Sequence, residues 1–196
     1  MAKPWAIAAT GQTIVGLLAS ACPRSEFPAA QFELYQARNF QQPMDEGVSL
    51  YLHRITPANV IRNLPPRIAP DGRRYKQAVS IDLHFLMTAW AKDAVKQYRL
   101  LGWAIRTLED TAILPSGALN QHGPEPDIFR STETVDLIME EIAIQDLLAI
   151  WEVGKPNIQV SVGYAARMVS LESDLEIEEY ALVQTRRFRN GQLVDE

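Results

Sequence analysis

The chain has 196 residues, of which 47% are hydrophobic and 22% are charged, and its formal net charge is −5. These values are typical of a soluble globular domain, and the acidic balance excludes a general affinity for nucleic acid. The single cysteine, Cys22, excludes an intrachain disulfide and a thiolate metal cluster. No stretch approaches the ~18 consecutive apolar residues that a membrane-spanning helix needs.

Residues 4–21 form the first predicted element, an amphipathic helix on which Ile14 and Leu18 share an apolar face. The small residues that lead into Cys22 also imitate a lipoprotein signal. Polar residues at positions 10–13 interrupt the apolar run that such a signal needs. The helix is therefore the preferred interpretation, and a lipid-anchored envelope protein remains an alternative.

Alternating apolar and polar residues predict two strands, at residues 31–36 and 48–55. A proline-rich excursion over residues 56–75 follows, and Pro70-Asp71-Gly72 is the turn signal at its tip. The next strand, residues 79–88, has the clearest pattern and is expected to be half-buried. Its apolar face carries Val79, Ile81, Leu83, Phe85 and Met87, and its polar face carries Ser80, Asp82, His84 and Thr88.

The clearest helical pattern comes directly after this strand, with apolar residues alternately four and three positions apart. They are Ala94, Tyr98, Leu101, Ile105, Leu108 and Ala112. We expect this helix to end near Leu114 and residues 115–126, which are rich in Gly and Pro, to form a loop. The remaining predictions are a strand at residues 134–140, a helix at 145–153 with Leu147, Leu148 and Trp151 inward, and a last strand over 158–168.

The sum of these elements is an α+β fold, with a mainly antiparallel sheet, helices packed on one face and a C-terminal arm. Residues 1–171 form the predicted domain, and residues 172–196 form a charged C-terminal extension.

Residues that could support catalysis or bind a cofactor do not fall into any recognisable motif. The three histidines, His53, His84 and His122, are far apart in the sequence and lack the spacing of metal ligands. No Gly-rich phosphate loop and no nucleophile elbow occur. The remaining enzymatic alternative is a small hydrolase that uses His84 and Asp82 from one strand face. The sequence therefore predicts a protein that is not an enzyme and that has no cofactor.

Two charged segments are the candidate interaction sites. The first is a basic loop whose cations are offset only by Asp71, and its prolines reduce the entropy lost on docking. Its candidate residues are Arg62, Arg67, Arg73, Arg74 and Lys76. A loop of this kind favours an acidic protein surface as its partner, and a merely solvated loop is the alternative.

The second charged segment is the C-terminal extension, where an acidic run precedes a basic cluster. The acidic residues include Glu176, Glu178 and Glu179, and the basic residues are Arg186, Arg187 and Arg189. Opposite charges on two parts of one molecule suit head-to-tail contact between identical subunits, which is the arrangement that closes rings. A plain charged tail is an equally good interpretation.

Several short segments together identify a family, because their order and spacing are specific. They are Leu64-Pro65-Pro66-Arg67, Pro70-Asp71-Gly72-Arg73-Arg74-Tyr75, Asp82-Leu83-His84-Phe85-Leu86-Met87-Thr88-Ala89-Trp90, Leu100-Leu101-Gly102-Trp103-Ala104, Leu108-Glu109-Asp110-Thr111, Gln145-Asp146-Leu147 with Trp151, and Ser161-Val162-Gly163-Tyr164. The chain resembles, over roughly residues 5–172, the cap or tail-terminator proteins of phage-tail-like extracellular contractile injection systems.

The resemblance implies a structural role without catalytic residues. Such terminators sit as a ring, usually hexameric, on the last layer of inner tube and sheath. There they stop tube polymerisation, fix the tail length and join the sheath to the tube end. The implied partners are other copies of the chain and the tube and sheath subunits, with assembly in the cytoplasm before the particle is complete. A collar or adaptor component of the tail is the alternative within this class.

Overall fold

A six-stranded sheet forms the centre of the computed structural model, which describes residues 5–58, 66–69, 71–123, 125, 127–155, 157 and 159–177. Its strands are β1 (Gln31–Tyr35), β2 (Gly47–Pro57), β5 (Val79–Trp90), β6 (Ile113–Pro115), β7 (Thr134–Glu140) and β8 (Ser161–Leu171), in the spatial order β1-β2-β5-β8-β7-β6. Two further short strands, β3 (Arg67–Ile68) and β4 (Arg74–Tyr75), form a separate hairpin. The helices are α1 (Ala6–Ala21), α2 (Ala94–Asp110), α3 (Ser116–Gln121) and α4 (Ile144–Gly154), with a 3₁₀ helix at Ala37–Gln41.

The pairing of the strands confirms the predicted α+β class. Four of the five pairings in the central sheet are antiparallel, and only β1 runs parallel to its neighbour β2. A parallel neighbour requires a connection that carries the chain back along the sheet. Residues 36–46, which include the 3₁₀ helix, form this connection, and the buried Phe40 anchors it.

The first face of the sheet carries the main core. Apolar side chains of α1, α2 and α3 pack there against alternate residues of the strands, including Leu83, Phe85 and Met87 of β5. Helix α1 is rich in small residues, and its buried Thr10 and Thr13 donate hydrogen bonds to backbone carbonyls one turn earlier, at 2.8 Å each. The predicted first helix is thus an integral part of the core. Among the described residues, no helix is long and apolar enough to cross a membrane.

The second face of the sheet is also covered, so the expectation that all helices pack on one face is wrong. Helix α4 and the 3₁₀ helix enclose a second cluster there, made of Tyr35, Phe40, Leu86, Trp90 and Trp151. The strand β5 is therefore buried on both faces over most of its length, rather than half-buried as its alternation predicts. Its polar residues are tolerated because they are paired: Thr88 Oγ1 lies 2.8 Å from Ser161 Oγ.

The predicted seam of α2 is displaced from the seam that packs in the structure. Leu100, Leu101, Ala104 and Leu108 are buried, whereas Ala94 and Tyr98 are exposed. The buried set also includes a polar residue, Gln97, whose Nε2 donates to the carbonyl of Ala89 and to Gln159 Oε1 at 2.7 Å each. Leu101 and Leu108 of the predicted seam are thus buried as expected, and the rest of the seam is shifted because a satisfied amide can occupy a core position.

Residues 111–121 also differ from the prediction, which placed a helix end near Leu114 and then a loop. Helix α2 ends at Asp110, and Leu114 lies in the edge strand β6 with its side chain buried. The helix α3 follows immediately after Pro115. Pro115 is both the last residue of β6 and the N-cap of α3, so it ends the strand rather than opening a loop.

Candidate assembly interface

The basic loop of the sequence contains a real hairpin, made of β3, β4 and the turn between them. Gly72 has a positive φ of 84°, which glycine adopts without strain, and its amide donates to the carbonyl of Ala69 at 2.9 Å. Asp71 accepts from the amide of Arg73 at 3.1 Å. The guanidinium of Arg67 lies over the ring of Tyr75, 4.0 Å from its centroid, so the two strands are joined by a cation–π contact.

Residues 172–177, called the tail segment below, extend this hairpin through one isolated antiparallel β-bridge. Tyr75 and Glu176 are antiparallel partners. The amide of Lys76 donates to the carbonyl of Leu175 at 2.9 Å, and the amide of Ile177 donates to the carbonyl of Arg74 at 2.8 Å. Residues 172–177 of the C-terminal extension therefore lie against the hairpin within one chain.

Ion pairs reinforce this contact. Arg73 contacts Glu176 at 2.9 Å and Asp71 at 2.6 Å. The hydrogen bonds to Glu176 and Asp71 raise the pKa of Arg73, and the amide and guanidinium of Arg73 lower the pKa of Asp71. These three side chains are well exposed, so their attraction is screened and adds little to stability.

Glu172 is the buried member of the contact, since its side chain is only 8% exposed. It lies between two arginines, Arg130 and Arg67. Its carboxylate pairs with Arg130, and Arg67 Nε lies 3.3 Å from Oε2, within ion-pair distance but without a well-aligned hydrogen bond. This clamp joins the end of β8, the hairpin and the loop before β7.

Neutralising this carboxylate tests the clamp. We expect Glu172→Gln to lower the free energy of unfolding by about 1–2 kcal/mol, because it leaves two arginines without their partly buried counterion. Amide exchange at residues 74–77 should also become faster. Asp174→Asn, an exposed change in the same segment, is the matched control. Equal effects of the two substitutions in urea denaturation would show that Glu172 does not clamp the segment.

The structure brings together five of the candidate residues, namely Arg67, Arg73, Arg74, Lys76 and Glu176. Arg62, Glu178, Glu179, Arg186 and Arg187 lie outside the described residues. Sequence reasoning missed the participation of Arg130, which lies 42 residues before Glu172 and has no local signal. The role of all these residues in assembly stays a prediction.

Several exposed apolar side chains lie on the hairpin, on the tail segment or toward the neighbouring ends of β2, β5 and β8. They are Ile55, Ile68, Val79, Met168 and Leu175. A mixture of apolar and charged groups at one end of a domain is typical of a protein–protein contact surface.

The two residues of the hydrolase alternative are held by different partners. Asp82 Oδ1 accepts from the amide of Met168 at 2.8 Å, at a bulge where Met168 has a φ of 62°. His84 lies instead between Thr56 Oγ1, 2.8 Å from Nε2, and Glu140 Oε1, 2.8 Å from Nδ1. In the part of the chain that the structure describes, no group of three or more His, Cys, Asp or Glu residues could hold a metal ion.

His53 occupies a bulge in β2 beside His84, with the two ring centroids 6.4 Å apart. Burial, with Arg54 next in importance, lowers the pKa of His53 below its usual 6.5. The folded chain thus binds fewer protons than the unfolded chain just below pH 6.5, and stability should fall as the pH falls from there. A difference of one bound proton changes the free energy of unfolding by at most about 1.4 kcal/mol per pH unit.

Urea denaturation of wild type and His53→Leu at pH 7.5 and pH 5.5 measures this effect. The loss of stability on acidification should be smaller in the variant. A wild-type stability that does not change between the two pH values would contradict the assignment.

Comparison with known proteins identifies the family. The chain belongs to the Pvc16 N-terminal domain family, whose model matches residues 9–185. The resemblance found in the sequence is therefore confirmed. No curated protein matches the chain.

Two solved structures share the fold. The first is the sheath/tube terminator of PVC, an extracellular contractile injection system, in its extended state. Its TM-score is 0.60 and its sequence identity is 14%, and the match covers 96% of this chain and 64% of that chain. The second is the tube-terminating cap of the anti-feeding prophage, with a TM-score of 0.53 and 13% identity over 85% of this chain and 56% of that chain. This chain thus spans less than two thirds of the length of either protein.

Proposed function

We propose that this protein caps the end of a contractile injection tail, where a ring of identical subunits lies on the last layer of tube and sheath. The observation that carries the proposal is the combination of family membership over residues 9–185 with a fold shared with two terminators. In this position the ring stops tube polymerisation and fixes the tail length. Six subunits per ring is the number that the sequence resemblance implies.

The partners in this proposal are the neighbouring subunits of the ring and the terminal tube and sheath subunits. The hairpin, the tail segment and the exposed apolar side chains around them supply a surface with both polar and apolar groups. Such a surface suits another protein, and the net charge of −5 disfavours nucleic acid as its partner.

The role is structural, without a reaction of its own. The support for this part is that His84 and Asp82, the residues of the hydrolase alternative, have separate structural partners. His84 pairs with Glu140, and Asp82 accepts from the amide of Met168 at the bulge of β8. The subunit assembles in the cytoplasm and becomes part of the injection particle.

Localisation on the particle tests the proposal. A short epitope fused to the chain can be labelled with gold-conjugated antibody on purified particles and viewed by electron microscopy. We expect gold at one end of each particle, on the end opposite the baseplate. Gold along the shaft or at the baseplate would contradict the proposal, and gold on a separate layer below the end would indicate a collar or adaptor instead.

A further inference from the structure

The hairpin is short and is extended by a single β-bridge to the tail segment. It contains only two residue pairs, Arg67 with Tyr75 and Ile68 with Arg74, and isolated two-stranded hairpins are marginally stable in water. The tail segment adds to the hairpin through two backbone hydrogen bonds and the pair between Arg73 and Glu176. The chemistry of the contact therefore requires a strand with this register and these acidic residues, but it does not require that the strand come from the same chain.

The contact between the hairpin and the outer part of the tail segment buries little apolar surface. Ile68 is 68% exposed and Leu175 is 62% exposed. The ion pair of Arg73 with Glu176 is exposed as well. Contacts of this kind belong to the low-stability part of a fold and open locally.

Glu172 and the rest of the tail segment differ in how firmly they are held. Glu172 is clamped by Arg67 and Arg130. After it, residues 173–175 have no regular secondary structure, and Ser173 Oγ accepts from the amide of Leu175 at 3.2 Å. This irregular segment is the natural hinge, because it separates the partly buried carboxylate of Glu172 from the exposed residues that bridge to the hairpin.

We infer that in the assembled ring the tail segment from this hinge onward, residues 174–177, pairs with the hairpin of a neighbouring copy of the chain. The inference rests on the proposed function, since it assumes that copies stand side by side in a ring. Exchange of an identical element between subunits replaces each contact with the same contact, so its energetic cost is low. A second copy is the partner to which this strand and this hairpin are already matched in register and in charge.

The exchange also explains why one chain carries both a basic hairpin and an acidic strand. Each subunit donates a strand on one side and receives one on the other, which links the subunits head to tail. Because only a short hinge separates the strand from the Glu172 clamp, the hairpins of neighbouring subunits must lie close together.

A cysteine pair at Tyr75 and Glu176 tests the exchange directly. The backbone hydrogen bonds flank this pair, so it is of the closely spaced type, with Cα atoms about 4.5 Å apart, which suits a disulfide. Tyr75→Cys and Glu176→Cys are combined in a Cys22→Ala background, and assembled particles are oxidised and run on a non-reducing gel. We expect covalent multimers of this chain. A disulfide within single chains, or no disulfide, would overturn the inference.

Val79→Cys with Leu171→Cys provides the matched control, because these residues are register partners in the central sheet. Its crosslink should stay within one chain in particles and in the isolated subunit. The control also separates two failures. If capped particles contain only crosslinks within chains, the exchange is wrong and the capping function stands. If the chain is absent from the particle end, the proposed function itself is wrong.

Charge reversal gives an independent test with a different readout. Arg73→Glu chains and Glu176→Arg chains should each form rings poorly, because like charges then meet at the contact. Mixing the two variants should restore ring formation several-fold by size-exclusion chromatography. In the mixture, one variant carries a carboxylate at position 73 and the other carries a guanidinium at position 176. These opposite charges are on different chains, so they can pair only between chains. Recovery in the Arg73→Glu, Glu176→Arg double variant but not in the mixture would show that the strand stays on its own chain.

Discussion

Reversing the charge of two hairpin arginines together, Arg73→Glu with Arg74→Glu, is expected to abolish capping while the subunit stays folded. Both side chains are on the exposed hairpin, outside the two apolar clusters, so the fold does not depend on them. The hairpin would change from basic to acidic and would repel Glu176 and any acidic partner surface. Electron microscopy of particle ends measures capping, and thermal unfolding of the purified variant measures folding.

The matched control for this variant is Arg99→Glu with Arg106→Glu. These arginines also carry exposed ion pairs, with Glu26 and Asp110 respectively, and lie on α2. The control changes the net charge by the same amount and should leave capping intact. Normal particle ends with the hairpin variant would show that the hairpin has no part in assembly.

Truncation of Trp151 is expected to destabilise the chain far more than truncation of Leu148 on the same helix. Trp151 is 2% exposed and packs against Phe40, with ring centroids 5.5 Å apart, whereas Leu148 is 56% exposed. Trp151→Ala should lower the free energy of unfolding by about 3–5 kcal/mol, which is typical for the loss of a buried tryptophan. Leu148→Ala should change it by less than about 0.5 kcal/mol, as for most surface substitutions.

Urea denaturation of the two variants measures both values. The comparison tests the second apolar cluster, which the sequence did not reveal. Equal losses would mean that α4 packs differently on the second face of the sheet.

The strands and helices could be predicted where the local pattern alone decides them. The strand β7 has the predicted bounds, 134–140, and α1 ends at the predicted residue, because period and terminators are local signals. The parallel direction of β1 was not predictable in this way. It depends on Phe40, in the connection between β1 and β2, meeting the aromatic residues of β5 and α4 on the second face.

Burial was harder to predict than secondary structure. Leu147, Leu148 and Trp151 were all expected inward, but an apolar helix gives no local signal of which face a distant element will cover. Trp151 is buried because Trp90 and Phe40 reach it from elements far away in the sequence. Leu148 points away from that cluster and is exposed.

The signs of the charges at the candidate interface could be read from the sequence, but their pairing could not. The basic loop and the acidic run were each visible as composition. Arg73 and Glu176 are 103 residues apart, and the bridge between Tyr75 and Glu176 that brings them together is a tertiary event. The same limit applies to Arg130 and Glu172.

Tail length measured by electron microscopy, in particles from cells that lack this protein and from their parents, tests the capping function most directly. We predict that the uniform length is lost without the protein, and that tubes and sheaths overgrow or fall apart. Particles of unchanged length with an intact blunt end would contradict the assignment of this chain as the terminator.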